Sequence, residues 1–127
     1  MERLRHHNLA AWKYSDEFFF EVHRLVVERF PRSDRYELGS QLRRAALSVP
    51  ANIVEGLARR TVAEQSQFLR TAWSSLLEAD YYLSVARRLG YLDEAEHGAV
   101  DQMTRRAAAA LAGLMKSVRN QQASPPR

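Results

Sequence analysis

The chain has 127 residues, no cysteine, 46% hydrophobic residues and a formal net charge of +4. This length suits one domain that buries a core without disulfides or a structural metal. The absence of cysteine excludes disulfide scaffolds, thiolate zinc sites and cysteine nucleophiles. No apolar run approaches the roughly 20 residues of a membrane helix, and the N-terminus lacks the apolar stretch of a signal peptide. We therefore expect a soluble cytoplasmic protein.

Arginine carries most of the positive charge, with 17 of the 19 basic residues. Its guanidinium group pairs bidentately with phosphates and carboxylates and suits desolvated ion pairs. A genome rich in arginine codons would explain the same composition equally well. A charge of +4 on 127 residues is mild, so it permits nucleic-acid binding without requiring it.

The apolar periodicity predicts four helices in chain order. Eighteen alanines and fifteen leucines favour helix over sheet. Between the chain breaks at Phe30-Pro31, Ala58–Thr61 and Leu89–Asp93, apolar residues recur at steps of three and four. The predicted helices span roughly residues 8–30, 34–58, 61–90 and 93–120.

Residues typical of helix ends support these boundaries. Gly90 is placed as the C-cap of the third helix. The predicted N-terminal signals are Ser33 or Asp34 with Glu37, Thr61 with Glu64, and Asp93 with Glu94 and Glu96 in the first turn. Because the connections are short, neighbouring helices should be antiparallel. We predict one all-α domain over residues 1–120, an up-down-up-down four-helix bundle, and a flexible C-terminal tail over residues 121–127.

The second helix carries a polar stripe beside its apolar face. Its members recur at steps of three and four residues: Gln41, Arg44, Ser48, Asn52, Glu55 and Arg59. A solvated helix surface explains this spacing, and so does a connected line of hydrogen bonds. Serine and asparagine are poor choices for an exposed helix, which favours the second interpretation. Pro50 lies inside the same helix and is expected to kink it.

The third helix offers partners for this stripe. Ser74, Ser75 and Glu78 lie within about one turn. Glu78 is a candidate partner for Arg43 or Arg44 across the bundle. If buried, such an ion pair would contribute specificity more than stability.

The segment Gln41–Ala46, followed by Ser48–Gly56, resembles a family motif. It is similar to that of the bacterial four-helix-bundle proteins named after the intervening sequences of 23S ribosomal RNA genes. Further similarity lies in Phe30-Pro31 and in Leu89–Leu92, and the resemblance covers about residues 9–115. Ser74 departs from the pattern, because the family usually has glycine there.

The resemblance implies a four-helix-bundle protomer, a homopentamer and no catalytic activity. A more distant relative is the accessory variability protein of diversity-generating retroelements. That relative is a basic pentameric barrel that binds nucleic acid and a reverse transcriptase. The resemblance therefore implies no catalytic residue and no cofactor for this chain.

Arginine pairs are the candidate nucleic-acid contacts. The pairs near helix ends or on the last helix are Arg59 and Arg60, Arg87 and Arg88, and Arg105 and Arg106. Five copies of a protomer of +4 would carry about +20, a surface suited to RNA or DNA backbones. No aromatic residues interleave with these pairs, so sequence-independent binding is the form expected. Alternatively the pairs are solvated, and Arg43 or Arg44 forms an ion pair between subunits.

The remaining candidate sites are weak. Glu94-x-x-His97 is half of a di-iron motif, and no second copy exists in the sequence, so we expect no metal. Trp12 and Trp73 are interpreted as core or interface anchors. Two functional hypotheses remain: a non-enzymatic oligomeric scaffold or accessory factor, and a nucleic-acid-binding accessory protein of an RNA–protein machine such as a reverse transcriptase.

Overall fold

The computed structural model describes residues 9–123, which form five helices and no strand. The helices are α1 (Ala10–Arg29), α2 (Arg32–Arg35), α3 (Leu38–Leu57), α4 (Val62–Arg88) and α5 (Glu94–Ala123). This supports the predicted all-α class. No helix in the described part of the chain is long and apolar enough to cross a membrane.

The four long helices pack side against side around one core. α1 contacts α3 and α5, and α4 contacts the same two helices. Each long helix buries one apolar stripe, because residues three and four apart share a face. All four contribute to the largest fully buried side chains, which include Phe18, Leu25, Leu42, Ile53, Leu69, Leu76, Leu83 and Leu111, and Leu92 is added from the loop before α5. Because these stripes face the core, the opposite sides of the four helices face outwards.

The second predicted helix begins later than expected. The short helix α2 precedes it, and α3 starts only at Leu38. The expected capping box between Asp34 and Glu37 is wrong, since Glu37 is the N-cap of α3 and makes no side-chain cap. Asp34 Oδ1 instead accepts the Leu38 N–H at 3.3 Å. From there α3 continues through Pro50, which is buried.

The N-terminal signals of the last two helices are confirmed. Thr61 Oγ1 accepts the Glu64 N–H at 3.1 Å. Asp93 Oδ1 accepts the Glu96 N–H at 2.7 Å, and Glu96 Oε1 accepts the Asp93 N–H at 3.0 Å. α5 then runs to Ala123, three residues beyond the predicted end at residue 120. The rest of the predicted tail, residues 124–127, lies outside the described residues, as do residues 1–8.

The C-cap of α4 is also confirmed. Gly90 has a φ of 83°, which glycine adopts without the penalty that a Cβ brings. The Tyr91 N–H reaches the Ala86 carbonyl at 2.9 Å, and the Gly90 N–H reaches Arg87 at 3.1 Å. This paired arrangement is a Schellman motif, which satisfies the last carbonyls of the helix.

Candidate functional site

Ser48, Asn52 and Ser75 form a hydrogen-bonded link between α3 and α4. The two serine Oγ atoms lie 2.8 Å apart. Asn52 Nδ2 donates to both the backbone oxygen and Oγ of Ser48, each at 2.8 Å. All three side chains are half-buried, so each bond replaces contact with water that the fold has removed. The centre of the predicted polar stripe therefore joins two helices.

The C-terminal end of the stripe remains on the surface. Arg59 donates to Glu55 at 2.7 Å, and both side chains are exposed. The Arg59 guanidinium also lies 4.7 Å from the centre of the Phe68 ring, within range of a cation–π interaction. Arg59 is thus already engaged by two neighbours.

The N-terminal end of the stripe carries unpaired charge. Gln41 and Arg44 are exposed, and Arg43 is half-buried. Glu78 is exposed on α4, and the ion pairs among residues 9–123 do not join it to Arg43 or Arg44. The pairing considered for Glu78 within one chain is therefore not made.

Gly56 marks the closest approach of α3 to α4. A Cβ built on it would lie 2.9 Å from Phe68 Cβ and 3.3 Å from the Gln65 carbonyl oxygen. At a separation below 3.0 Å one of the two helices would have to shift. The Gln65 side chain also donates to the Arg59 carbonyl at 2.9 Å. The end of the motif, Glu55-Gly56, therefore has a packing reason.

The candidate arginine pairs lie apart from one another. Arg59 and Arg60 follow α3, whereas Arg87 and Arg88 end α4. The 27 residues of α4 span about 40 Å at 1.5 Å per residue, so these two pairs are at opposite ends of the molecule. The third pair, Arg105 and Arg106, lies within α5. One protomer therefore does not gather the three pairs into one patch.

Several of these arginines already have partners. Arg105 donates to Asp101 at 2.9 Å, and this bond raises the pKa of Arg105. The Arg106 guanidinium lies 5.3 Å from the centre of the Tyr14 ring. Arg60 and Arg88 are exposed, and neither belongs to an ion pair of the described residues.

An ion pair also joins α1 to the start of α5. Arg29 Nε donates to Glu96 Oε2. Two hydrogen bonds hold the pKa of Glu96 below its usual value. The larger effect comes from the Asp93 N–H and the smaller from Arg29. Arg24 is similarly bound by Glu21 at 2.7 Å and Glu28 at 2.9 Å.

A groove follows the seam between α4 and α5. One section of about 200 Å³ has a mainly apolar wall that includes Trp73, Leu77 and Ala108, with Asp80 and Asp101 beside it. Trp73 is half-buried there. This partial exposure is compatible with its interpretation as an interface anchor.

The same seam continues towards the C-terminal half of α5. Trp73 and Ala112 line the next section, and the last section lies between Arg70 and Arg119. No sequence pattern connects these residues, because they belong to two helices whose relative register depends on tertiary packing.

The half motif Glu94-x-x-His97 has no cluster of further candidate ligands beside it among the described residues. Within residues 9–123 no three His, Asp or Glu side chains cluster in a way that could hold a metal ion. Glu94 and His97 both lie in the first turn of α5, at the end of the core.

Known proteins resemble this chain in sequence and in fold. Residues 7–113 match the pattern of the family described as 23S rRNA-intervening sequence protein. A crystal structure of a protein with unknown function from the S23 ribosomal protein family of Bacteroides thetaiotaomicron VPI-5482 has the same fold. Its TM-score is 0.77 at 20% identity, over 84% of this chain and 95% of that chain. The comparison with curated proteins gives no match. Because the family pattern covers most of the chain, the chain belongs to the 23S rRNA-intervening sequence protein family.

Proposed function

We propose that this protein is a non-enzymatic scaffold or accessory factor of the bacterial cytoplasm that acts as a homopentamer. The observation that carries the proposal is the exposure of large apolar side chains on three long helices. Phe20 is 60% exposed, Leu47 50% and Leu77 55%. On α4, Leu77 has an exposed neighbour, because Tyr81 is 59% exposed and lies four residues further along the same side of the helix. Adjacent exposed apolar side chains are typical of a surface that a partner covers.

The protomer of this assembly is an up-down-up-down four-helix bundle. Two observations support this: α1 and α4 each pack against both α3 and α5, and short segments connect α3 to α4 and α4 to α5. Short connections favour antiparallel neighbours. The hydrogen bonds among Ser48, Asn52 and Ser75 give the polar stripe of α3 a structural role in that bundle.

Sedimentation velocity and native mass spectrometry test the assembly. The expected particle has five times the chain mass of 14.6 kDa at micromolar concentration. A stable monomer under these conditions would contradict the proposal, and a defined ring of another size would correct the subunit number.

RNA binding is the second candidate function. It is supported by the family name, which refers to 23S rRNA, and by Arg60 and Arg88, which are exposed at opposite ends of the protomer. In this role the protein is an accessory factor of an RNA–protein machine such as a reverse transcriptase. A ring would repeat each end arginine around its rim, and backbone contacts of this kind are sequence-independent.

A salt series on a structured RNA tests this role. Affinity should fall steeply as salt rises, because bound phosphates release their counterions. The double variant R60Q/R88Q should bind more weakly than K13Q/K116Q, a control that also removes two charges, from exposed lysines elsewhere. Binding that is undetectable at low salt, or equal weakening by K13Q/K116Q, would argue against these contacts.

A further inference from the structure

We propose that the groove between α4 and α5 receives the outer face of α3 from a second copy of the chain. This inference rests on the proposed oligomeric function and names the surfaces that would form its interface. The outer face of α3 is defined here as Arg44, Leu47, Ala51 and Glu55, all exposed. These positions follow one another at steps of three or four residues, so they lie along one side of the helix.

The apolar parts of the two surfaces match in position. Leu47 is 50% exposed near the middle of α3, and Leu77 is 55% exposed on the wall of the groove. On α3 the next outward residue is Ala51, and the corresponding part of the groove contains Ala112. Trp73 lines the same section beside Ala112, so the small Ala51 leaves room for the indole ring, and the two leucines would be withdrawn from water.

The charged ends of the two surfaces are complementary. The outer face of α3 has Arg44, which joins no ion pair within residues 9–123, at one end. At the other end is Glu55, whose Oε2 already accepts from Arg59, while no cation in the described part of the chain pairs with its Oε1. The groove has Asp80 and Asp101 at one end and Arg70 with Arg119 at the other. Arg105 neutralises one of the two aspartates, which leaves one negative charge for an incoming arginine. Arg70 and Arg119 belong to no ion pair of the described residues.

The spacing of the charges also agrees. Arg44 and Glu55 are separated along α3 by about 16 Å, and Arg70 and Asp80 along α4 by about 15 Å, at 1.5 Å per residue. Opposite charges meet at both ends when the incoming α3 runs antiparallel to α4. In that register, Leu47 lies opposite Leu77, and Ala51 lies opposite Trp73.

This orientation is compatible with a ring. Within one chain α3 is already antiparallel to α4, because Gly56 lies near Phe68 while Ser48 contacts Ser75. A second copy whose α3 is also antiparallel to the first α4 therefore points in the same direction as the first copy. Copies that share a direction and join different surfaces form a head-to-tail interface, the type that builds a ring when the rotation between copies closes.

Disulfide cross-linking tests the contact, since the chain contains no native cysteine. Ala51→Cys and Ala112→Cys change exposed alanines on α3 and α5. After the two single variants are mixed and allowed to exchange, oxidation should give a covalent dimer. Neither variant alone should cross-link, because a head-to-tail interface brings together different positions. The matched control replaces A112C with A99C, another exposed alanine on α5 about 20 Å further along the helix.

Charge reversal supplies a second measurement. R44D should raise the concentration at which the oligomer dissociates by about tenfold or more, since it places like charges together. D80R in the same chain should restore much of the loss. R60D is the control, because Arg60 is exposed but lies beyond the end of α3.

The outcomes separate this inference from the proposed function. A wild-type monomer would overturn both. An intact oligomer that forms no A51C–A112C cross-link, or that cross-links equally with A99C, would overturn only the docking of α3 in the groove and leave the groove to another partner. Cross-linking of A51C with itself would indicate a two-fold interface and would also overturn the inference.

Discussion

Tyr91 donates a hydrogen bond of 2.7 Å to Asp34 Oδ2 and so joins two connecting segments that are 57 residues apart in sequence. The other oxygen of the same carboxylate accepts the Leu38 N–H. The Tyr91 ring also packs against Phe30, with 5.1 Å between the ring centres. One acidic side chain thus holds the start of α3 and the loop before α5 at the same end of the molecule.

This bond should be visible in the titration of tyrosine. The hydrogen bond to Asp34, with burial and the nearby negative charge, raises the pKa of Tyr91 above its usual value of 10.0. Because the neutral hydroxyl is favoured in the folded state, the bond stabilises the fold below about pH 10. That contribution is lost as pH rises through the raised pKa. Subtracting the tyrosinate absorbance of Y91F from that of the wild type isolates Tyr91.

Asp34→Asn provides the matched control for this titration. It keeps the size of the side chain and removes the charge, so the ionisation of Tyr91 should move back towards the usual pKa of tyrosine. If D34N leaves the difference titration unchanged, Asp34 does not determine the pKa of Tyr91.

Gly56→Ala should destabilise the protein by about 1–3 kcal/mol, since overpacking a tight contact costs this amount. The new methyl group would lie 2.9 Å from Phe68 Cβ and close to the Gln65 carbonyl. Gly113→Ala is the matched control in α5, where a Cβ would meet nothing within 4 Å. It should stabilise the helix by about 0.5–1 kcal/mol. Urea unfolding of both variants measures the difference, and a gain in stability for G56A would contradict the tight contact.

Periodicity was sufficient to predict the four long helices, but contacts between distant segments were not accessible from it. The apolar stripe that contains Leu69, Leu76 and Leu83 repeats every three or four residues, so local geometry already defines its helix. From sequence, Asp34 is expected to be a local cap, because aspartate commonly caps helices. Its partner Tyr91 lies 57 residues away, and no local pattern indicates such a contact.

The candidate site shows the same division. The spacing of Ser48 and Asn52 placed them on one side of a helix, and Ser75 lay within the predicted cluster of partners. From sequence, Glu78 is as reasonable a partner for the stripe on α3 as Ser75. The choice between Ser75 and Glu78 depends on the rotation of α4 about its axis, which the sequence does not give. The groove beside Trp73 was missed for a related reason: it depends on the register between α4 and α5.

Ser75→Ala should lower the free energy of unfolding by about 0.5–1.5 kcal/mol, the usual net contribution of one hydrogen bond. The substitution leaves Ser48 Oγ with only its bond to Asn52. Ser74→Ala is the control at the preceding position. Ser74 is exposed, so this variant should change stability by less than about 0.5 kcal/mol. Equal effects of the two alanine variants would mean that the link between α3 and α4 contributes nothing measurable.

Gly90→Ala should destabilise the protein by about 1 kcal/mol, because a residue with a Cβ pays this cost at positive φ. At Gly90, which has a φ of 83°, a Cβ would meet no other atom within 4 Å, so the penalty comes from the backbone alone. Gly90→Asn should cost less, since asparagine tolerates left-handed backbone better than alanine. A melting temperature that is lower for G90N than for G90A would contradict this explanation.

Glu96→Gln should destabilise the protein at neutral pH and have a smaller effect in acid. The Asp93 N–H and Arg29 lower the pKa of the Glu96 carboxylate, so its ionised form is favoured in the folded state. Its contribution is therefore present above the unfolded pKa of about 4.3 and lost as pH falls through the lower folded value. The difference in melting temperature between E96Q and wild type should shrink from about pH 7 to about pH 3. Glu94→Gln, an exposed neighbour in the same turn, controls for the loss of charge near the helix start. A difference that stays constant over this range would mean that neither Asp93 nor Arg29 acts on the charge of Glu96.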